Sequence, residues 1–475
     1  MNPHHLLSRR QALQQLACGF GYLAFAGIAA QAAARATANP LAARAGHRAP
    51  RAKRVIFLFM GGGVSHLDSF DYKPALYTHD GKMMDFLDQR AIAKTGVGAT
   101  GRVMKPLWDF KQRGQCGRWV SELFPHMAQH ADDYCVVRSM HTEGVAHGPA
   151  TLFLHTGSTN QPRPSMGSWV TYGLGTENEN LPGFVTLSPT MANGGPRNYG
   201  SGFLPTVYQG TAIGRAGQKA AEAGIRNVRP PAGATAAQQR QFELVRALNA
   251  EQLSAKPGEH ELEAVASSYE LAWRLQQHAP DVLDVTKESA ATRALYGIGE
   301  ELTDDYGRQC LMARRLAEAG VRFIQVNYSD NTNNPAWDQH SNMPKHKDHA
   351  ARVDKPCAGL LADLKARGLL EDTIVWWGSE FGRTPYAERN GTGRDHNPTG
   401  FSVLLAGGGF KPGFAYGETD DFGHFAIENK VHMHDLHATI MHQLGLDHEK
   451  LTFRHDGRDF RLTDVHGHVI SDILT

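Results

Sequence analysis

Short, unbroken apolar runs punctuate the chain from residue 53 onward, and most of them end in glycine or a polar loop. The first, Arg54-Val55-Ile56-Phe57-Leu58-Phe59-Met60, enters Gly61-Gly62-Gly63. Others lie at residues 134–138, 183–187, 321–327, 373–377 and 401–406. Strands covered on both faces read continuously like this, whereas half-exposed strands alternate. Helical spacing fills the intervals. Over residues 348–367, Val353, Leu360, Leu361 and Leu364 share one face and Gly368 supplies a stop; a second helix is expected over 433–444. This alternation predicts an α/β sandwich with a mainly parallel central sheet and helices on both faces. Residues 210–300 are rich in Ala, Gln, Glu and Arg with helical periodicity, and predict a helical insertion, a candidate cap over the strand ends.

The N-terminus has a different pattern. Arg9-Arg10 precedes a weakly apolar, alanine-rich run from Leu16 to Ala34, with small residues at 34–36. Paired arginines ahead of such a run predict a cleavable twin-arginine export signal over 1–36 and a periplasmic or secreted destination. A stable membrane anchor would need about 20 consecutive apolar residues, and Gln14, Gln15 and Gln31 interrupt this one. Residues 37–52 read as a linker, and 53–475 as the folded domain.

Composition changes the picture in one respect. Lys+Arg at 49 against Asp+Glu at 48 leaves a net charge of +1. No basic excess exists to neutralise phosphates, so nucleic acid is excluded as the main partner. Histidine, however, numbers 25, and thirteen of these lie beyond residue 330. Such clustering beside acidic residues points to metal or acid–base chemistry. Beyond the signal, Cys116, Cys135, Cys310 and Cys357 show no zinc-type spacing. An oxidising destination permits a disulfide, Cys116–Cys135 being nearest in sequence, and buried thiols serve equally well.

Four segments join strand ends to metal-type ligands. His66 and Asp68 follow the triple glycine; Asp338 and His340 follow the 321–327 run; Glu380 and Arg383 follow 373–377; Arg394, Asp395 and His396 precede the last run. Ligands in open α/β sheets bind beyond the carboxyl ends of strands, and mixed carboxylate–imidazole sets suit divalent metals. A capping turn is the competing explanation for each segment taken singly. No phosphate loop, dinucleotide fingerprint, nucleophile elbow or H-E-x-x-H motif occurs. The histidines at 432, 434, 437 and 442 fall largely on that predicted helix and are compatible with ordinary helix faces.

The succession of these motifs resembles the alkaline phosphatase/sulfatase superfamily, and within it an exported sulfatase-like family of unknown function. His147-Gly148-Pro149-Ala150-Thr151-Leu152-Phe153-Leu154-His155-Thr156-Gly157 is similar to the sulfatase stretch C/S-x-P-S-R ending in T-G. His147 stands where the nucleophilic Cys or Ser would be and Thr151 where the arginine would be, which excludes formylglycine chemistry there. Glycines stand where a metal-binding Asp pair is usual, so that Asp68 or His66 would have to substitute. Asp338 and His340 match a metal-binding Asp and His, and Ser379-Glu380-Phe381-Gly382 falls where S-D-H-G is usual. Asp395-His396 resembles the later metal histidine region, and residues 433–445 the C-terminal helix.

The resemblance implies a metal-dependent hydrolase of phosphate or sulfate esters, including esters on glycans, that works outside the cytoplasm. One or two divalent ions (zinc, manganese, iron or calcium) would sit among His66, Asp68, Asp338, His340, Glu380, Asp395 and His396. His147 would lie nearest the reacting centre, as nucleophile, ligand or general acid, with Arg383 or Arg394 clamping the anion and Ser139 and Thr142 as fallback nucleophiles. Two rivals remain: a non-catalytic protein binding sulfated or phosphorylated glycans or a protein partner, and a metal-independent transferase acting through His147. Convergence of the carboxylates and imidazoles separates them.

Overall fold

The computed structural model describes residues 39–86, 99–223, 235–255, 260–332, 334–388 and 392–475. The expected export signal over 1–36 lies outside the described residues. Among them no helix is long and apolar enough to cross a membrane.

A nine-stranded sheet forms the centre: β1 (Arg54–Met60), β2 (Tyr134–His141), β3 (Phe184–Leu187), β4 (Thr211–Ile213), β5 (Phe323–Tyr328), β6 (Thr373–Gly378), β7 (Phe401–Ala406), β8 (Ala415–Tyr416) and β9 (Val431–His432). The order is β8-β2-β7-β6-β1-β5-β3-β4, with β9 also pairing to β2. Every pairing is parallel except the two that β7 makes, with β6 and with β2. All seven residues of β1 are buried, which is why its sequence is apolar without alternation. Phe57 and Trp376 stack at 3.8 Å on one face, beside His155 and His437. Trp377 meets Phe70 and Phe124 on the other. An aromatic pair of this kind adds about 1 kcal/mol beyond the area it buries.

Helices cover both faces. α1 (His147–Thr156), α2 (Met166–Leu174) and α7 (Met433–Gln443) lie on the Phe57 side. α5 (Asp304–Glu318) and α6 (Lys345–Ala366) pack together on the other. Both helices predicted from spacing are present, α6 and α7.

The region expected to be a helical insertion carries α3 (Thr235–Ala255) and α4 (His260–Leu283), but it opens with β4, the edge strand of the sheet. Three residues are too few to show a period. The helical pair does not cap the strand ends: Arg274 of α4 reaches Glu179, ahead of β3, and Arg315 donates to Val282 O, ahead of β5. It therefore lies toward the amino ends of the strands, away from the loops that carry the candidate ligands. Residues 39–52 have no regular structure but lie against the domain, with Leu41 buried and Ala52 N donating to Gln443 O. All four described cysteines are free thiols, and Cys116 faces Ala131 O rather than Cys135.

A second, four-stranded sheet has no counterpart among the strand runs expected from the sequence. Gly382–Ala387 and Arg394–Asn397 pair antiparallel, and Ala99–Val103 and Met83–Phe86 extend them. The register sets Arg383 opposite His396. This small sheet leans over the ends of β1, β5 and β6.

Candidate metal centre

Four side chains converge where these loops meet. One ligand atom each of His147, Asp338, His340 and His396 lies within 4.8 Å of all the others. His147 is the first residue of α1, and Gly157, left-handed at φ 67°, ends that helix. Asp338 and His340 stand on the loop after β5, anchored by Trp337, which is fully buried against Phe124 and His346. His396 comes from the small sheet.

Each imidazole is oriented from behind. His147 Nδ1 is 2.6 Å from Glu380 Oε1, His340 Nδ1 is bonded to Glu388 Oε2, and His396 Nδ1 is 2.8 Å from Val145 O. Carboxylates and carbonyls only accept, so each Nδ1 carries the proton and each neutral ring presents a bare lone pair at Nε2. Those lone pairs point at one another and at one carboxylate oxygen. Asp338 Oδ1 is 2.8 Å from His340 Nε2, 3.1 Å from His147 Nε2 and 3.3 Å from His396 Nε2. The His147 contact lacks hydrogen-bonding geometry, and its buried Nε2 has no hydrogen-bond partner. His340 Nε2 and His396 Nε2 are 2.9 Å apart.

Four donor atoms facing inward repel unless a cation lies among them. The protonation tendencies agree. Burial opposes a charge on His147, yet the Asp338 and Glu380 carboxylates at its two ring nitrogens outweigh it and raise its pKa. The Asp338 hydrogen bond raises His340 against the smaller effect of burial, whereas burial dominates at His396 and lowers it. Burial also pushes Asp338 up, but the three imidazoles and Arg383 hold it far below the usual carboxylate range. Three imidazoles and a carboxylate fit zinc, iron or manganese. They do not fit calcium, which takes roughly six to eight oxygens.

Several predicted residues occupy other positions. Asp68 is not in the cluster: its Oδ2 accepts from Arg394 Nε at 2.9 Å and Ser65 Oγ, and its Oδ1 from Leu107 N. His66 is buried with Nε2 on Gly423 O. Glu380 stands one residue back, its oxygens taken by His147, Gly62 N and Ser379 Oγ. Asp395 is at the rim, 3.7 Å from His340 Nδ1. Neither arginine is available to clamp an anion. Arg394 is spent on Asp68, Thr384 O and Met104 O, and Arg383 on Gly63 O, Arg394 O, Trp337 O, Gly62 O and Asp338 Oδ1 at 2.8 Å. Both are fully buried. Ser139 Oγ donates to Asn429 O, and nothing places Thr142 at the cluster.

The triple glycine serves close approach rather than ligation. Gly62 is at φ 119°, and a Cβ there would meet Trp337 N at 2.6 Å and Asp338 N at 2.7 Å. Glu388 escaped the sequence reading. Its one signal is a carboxylate between the two metal-type segments 380–383 and 394–396.

Solved structures similar to this chain include the PsFucS1 sulfatase from Pseudoalteromonas sp., at 14% identity over 83% of this chain and 68% of that one, with a TM-score of 0.34. A protein in the alkaline phosphatase superfamily from Vibrio parahaemolyticus matches at 8% identity over 86% and 70%, with a TM-score of 0.36. Alkaline phosphatase from the Antarctic bacterium TAB5 matches at 10% identity over 78% and 96%, with a TM-score of 0.31. No curated protein has significant sequence similarity to it. A family pattern matches residues 52–474, nearly the whole described domain, and the chain thus belongs to the family described as protein of unknown function (DUF1501).

Proposed function

We propose that the protein is an exported, metal-dependent hydrolase of phosphate or sulfate esters, including esters carried on glycans. The observation that carries this reading is the inward-facing set of His147, Asp338, His340 and His396, with every Nδ1 tied to an acceptor. A divalent ion held by these four residues would supply Lewis acidity toward an ester oxygen and acidify water. A single ion is favoured over a pair, because both Glu380 oxygens are already engaged and no second donor set adjoins the first among the described residues.

The chain's own groups then have distinct tasks. Glu380 holds the proton of His147 at Nδ1, Glu388 holds that of His340, and Arg383 fixes Asp338. Since Arg383 and Arg394 are saturated by protein acceptors, a metal held by the four residues would supply positive charge toward an anionic ester. Attack by water fits better than attack by an enzyme nucleophile. His147 faces the cluster through Nε2, and Ser379 Oγ is bonded to Met60 O and Glu380. A protein that only bound glycans would have no need of an oriented donor set, and so the convergence favours the hydrolase.

Elemental analysis of protein purified without added metal or chelator tests the reading, on wild type and on the Asp338→Ala/His340→Ala variant. One zinc, iron or manganese per chain, lost in the folded variant, is expected, followed by turnover of an aryl phosphate or aryl sulfate. No metal in either folded protein overturns it. Fractionation of cells expressing the full chain and an Arg9→Lys/Arg10→Lys variant tests export.

A further inference from the structure

The strand-end face holds a second recess, which the metal chemistry does not use. A cavity of about 290 Å³ lies beyond β3 and β5, walled by Ser188, Gln309, Tyr328 and Arg352 and by two carboxylates, Asp305, which accepts from Ala220 N and Gln309 Nε2, and Asp330, which accepts from Thr332. This is the lower end of the range for small-molecule pockets, roughly 300–1,000 Å³. Its back wall touches the metal centre indirectly. The rings of Tyr328 and His349 pack on Trp337 at 6.1 and 5.4 Å, and Asp338 is the next residue.

Three features of the lining have no structural purpose among the described residues. Gln309 is 4% exposed, and its amide nitrogen is bonded to Asp305 Oδ2, yet its Oε1 is buried without a partner. An orphaned acceptor of this kind destabilises the fold unless something donates to it. Ser188 is buried with a left-handed backbone, φ 49°, a conformation that L side chains adopt at a cost and that tends to persist at binding sites. Glycine would fill that position without strain, and what serine adds is a hydroxyl at the cavity wall. Arg352 is exposed and makes no ion pair or hydrogen bond with a described residue.

We infer that this cavity is a binding site for a small polyhydroxylated carboxylate, a sugar acid, whose carboxylate pairs with Arg352 and whose hydroxyls donate to Gln309 Oε1 and meet Ser188 Oγ. A guanidinium pairs with a carboxylate through parallel N–H bonds. A buried amide oxygen requires a donor, which a hydroxyl supplies. The half-buried Tyr328 ring offers an apolar face to the C–H side of such a ring. The site does not depend on an ion at the neighbouring cluster.

The test uses the full chain with glucuronate, methyl glucuronoside and glucose as probes, read by saturation-transfer NMR. Wild type is expected to bind glucuronate saturably and glucose at least tenfold more weakly. Arg352→Gln should lose tenfold or more for glucuronate and nothing for glucose. Ser188→Gly should weaken binding while its Tm holds or rises, because the strain is relieved; a merely structural serine would not separate the two. His340→Ala/His396→Ala should bind glucuronate as wild type does, so that failure of the metal reading leaves this result standing. Methyl glucuronoside binding as well as the free acid identifies a unit within a glycan, and its exclusion identifies the free acid; either supports the site. Absence of saturable binding, equal binding of glucose, or unchanged binding in both Arg352→Gln and Ser188→Gly overturns it.

Discussion

His340 Nε2 and His396 Nε2 stand 2.9 Å apart, although each ring already spends its Nδ1 proton on another acceptor. Two bare lone pairs at that distance are tolerable only with a cation between them or a proton on one of them. Chelation should therefore destabilise the wild type and leave His340→Ala/His396→Ala unaffected. A ligand at one hundred times its Kd contributes about 2.7 kcal/mol. The check is Tm with and without EDTA, and an equal drop in both proteins would remove the cluster as the metal site.

Glu388 touches none of the other ligands but fixes the His340 ring. Groups in that position typically govern metal affinity by about 10–100-fold. Glu388→Ala should lower affinity within that range while the far-ultraviolet circular dichroism spectrum is unchanged. Competition with a chromophoric chelator measures it.

Asp68 and Arg394 form an ion pair with both side chains fully buried. Removing one partner of such a pair costs about 3–5 kcal/mol. Asp68→Ala should thus unfold at much lower denaturant, yet its folded fraction should carry the full metal complement. Loss of metal from folded Asp68→Ala would return Asp68 to the ligand set.

Gly62→Ala should do the reverse of a surface substitution. The added methyl would push on the amides of Trp337 and Asp338, in a backbone conformation that already strains an L residue at about 1–3 kcal/mol. Lower stability and lower metal occupancy are expected together. Metal analysis beside a denaturant titration checks both.

The pH response follows from buried histidines away from the cluster. Burial lowers His155 and His437 to about 4, against roughly 6.5 in the unfolded chain. Between those values the unfolded state binds more protons, so stability rises with pH there. It is fully present above about pH 6.5 and is lost as pH falls toward 4. Each such group contributes a slope of up to about 1.4 kcal/mol per pH unit. His155→Phe should flatten the slope by one group's share, and denaturant titrations at stepped pH measure it.

The central strands were legible because a sheet covered on both faces writes itself as unbroken apolar runs, and β7 lies where the run at 401–406 placed it. Asp338 and His340 were legible for a related reason: they stand on the loop that leaves such a run. The small sheet was not. Gly-Arg-Thr-Pro-Tyr-Ala and Arg-Asp-His-Asn neither alternate nor stay apolar, and Pro385 argues against a strand. That hairpin nevertheless decides the site, because its register carries His396 in and turns Arg383 and Arg394 toward protein acceptors. His66 and Asp68 misled because a glycine-rich strand end serves equally well for gripping a ligand and for letting another loop pass close.

The ligands span His147 to His396 and arrive on separate segments: a helix start, the loop after β5 and the small sheet. No fragment that stops before the last hairpin can assemble all four. Metal capture by this set would thus require a chain made through residue 396 and folded far enough to bring those three segments together. Partly made or misfolded chains would compete poorly for scarce metal.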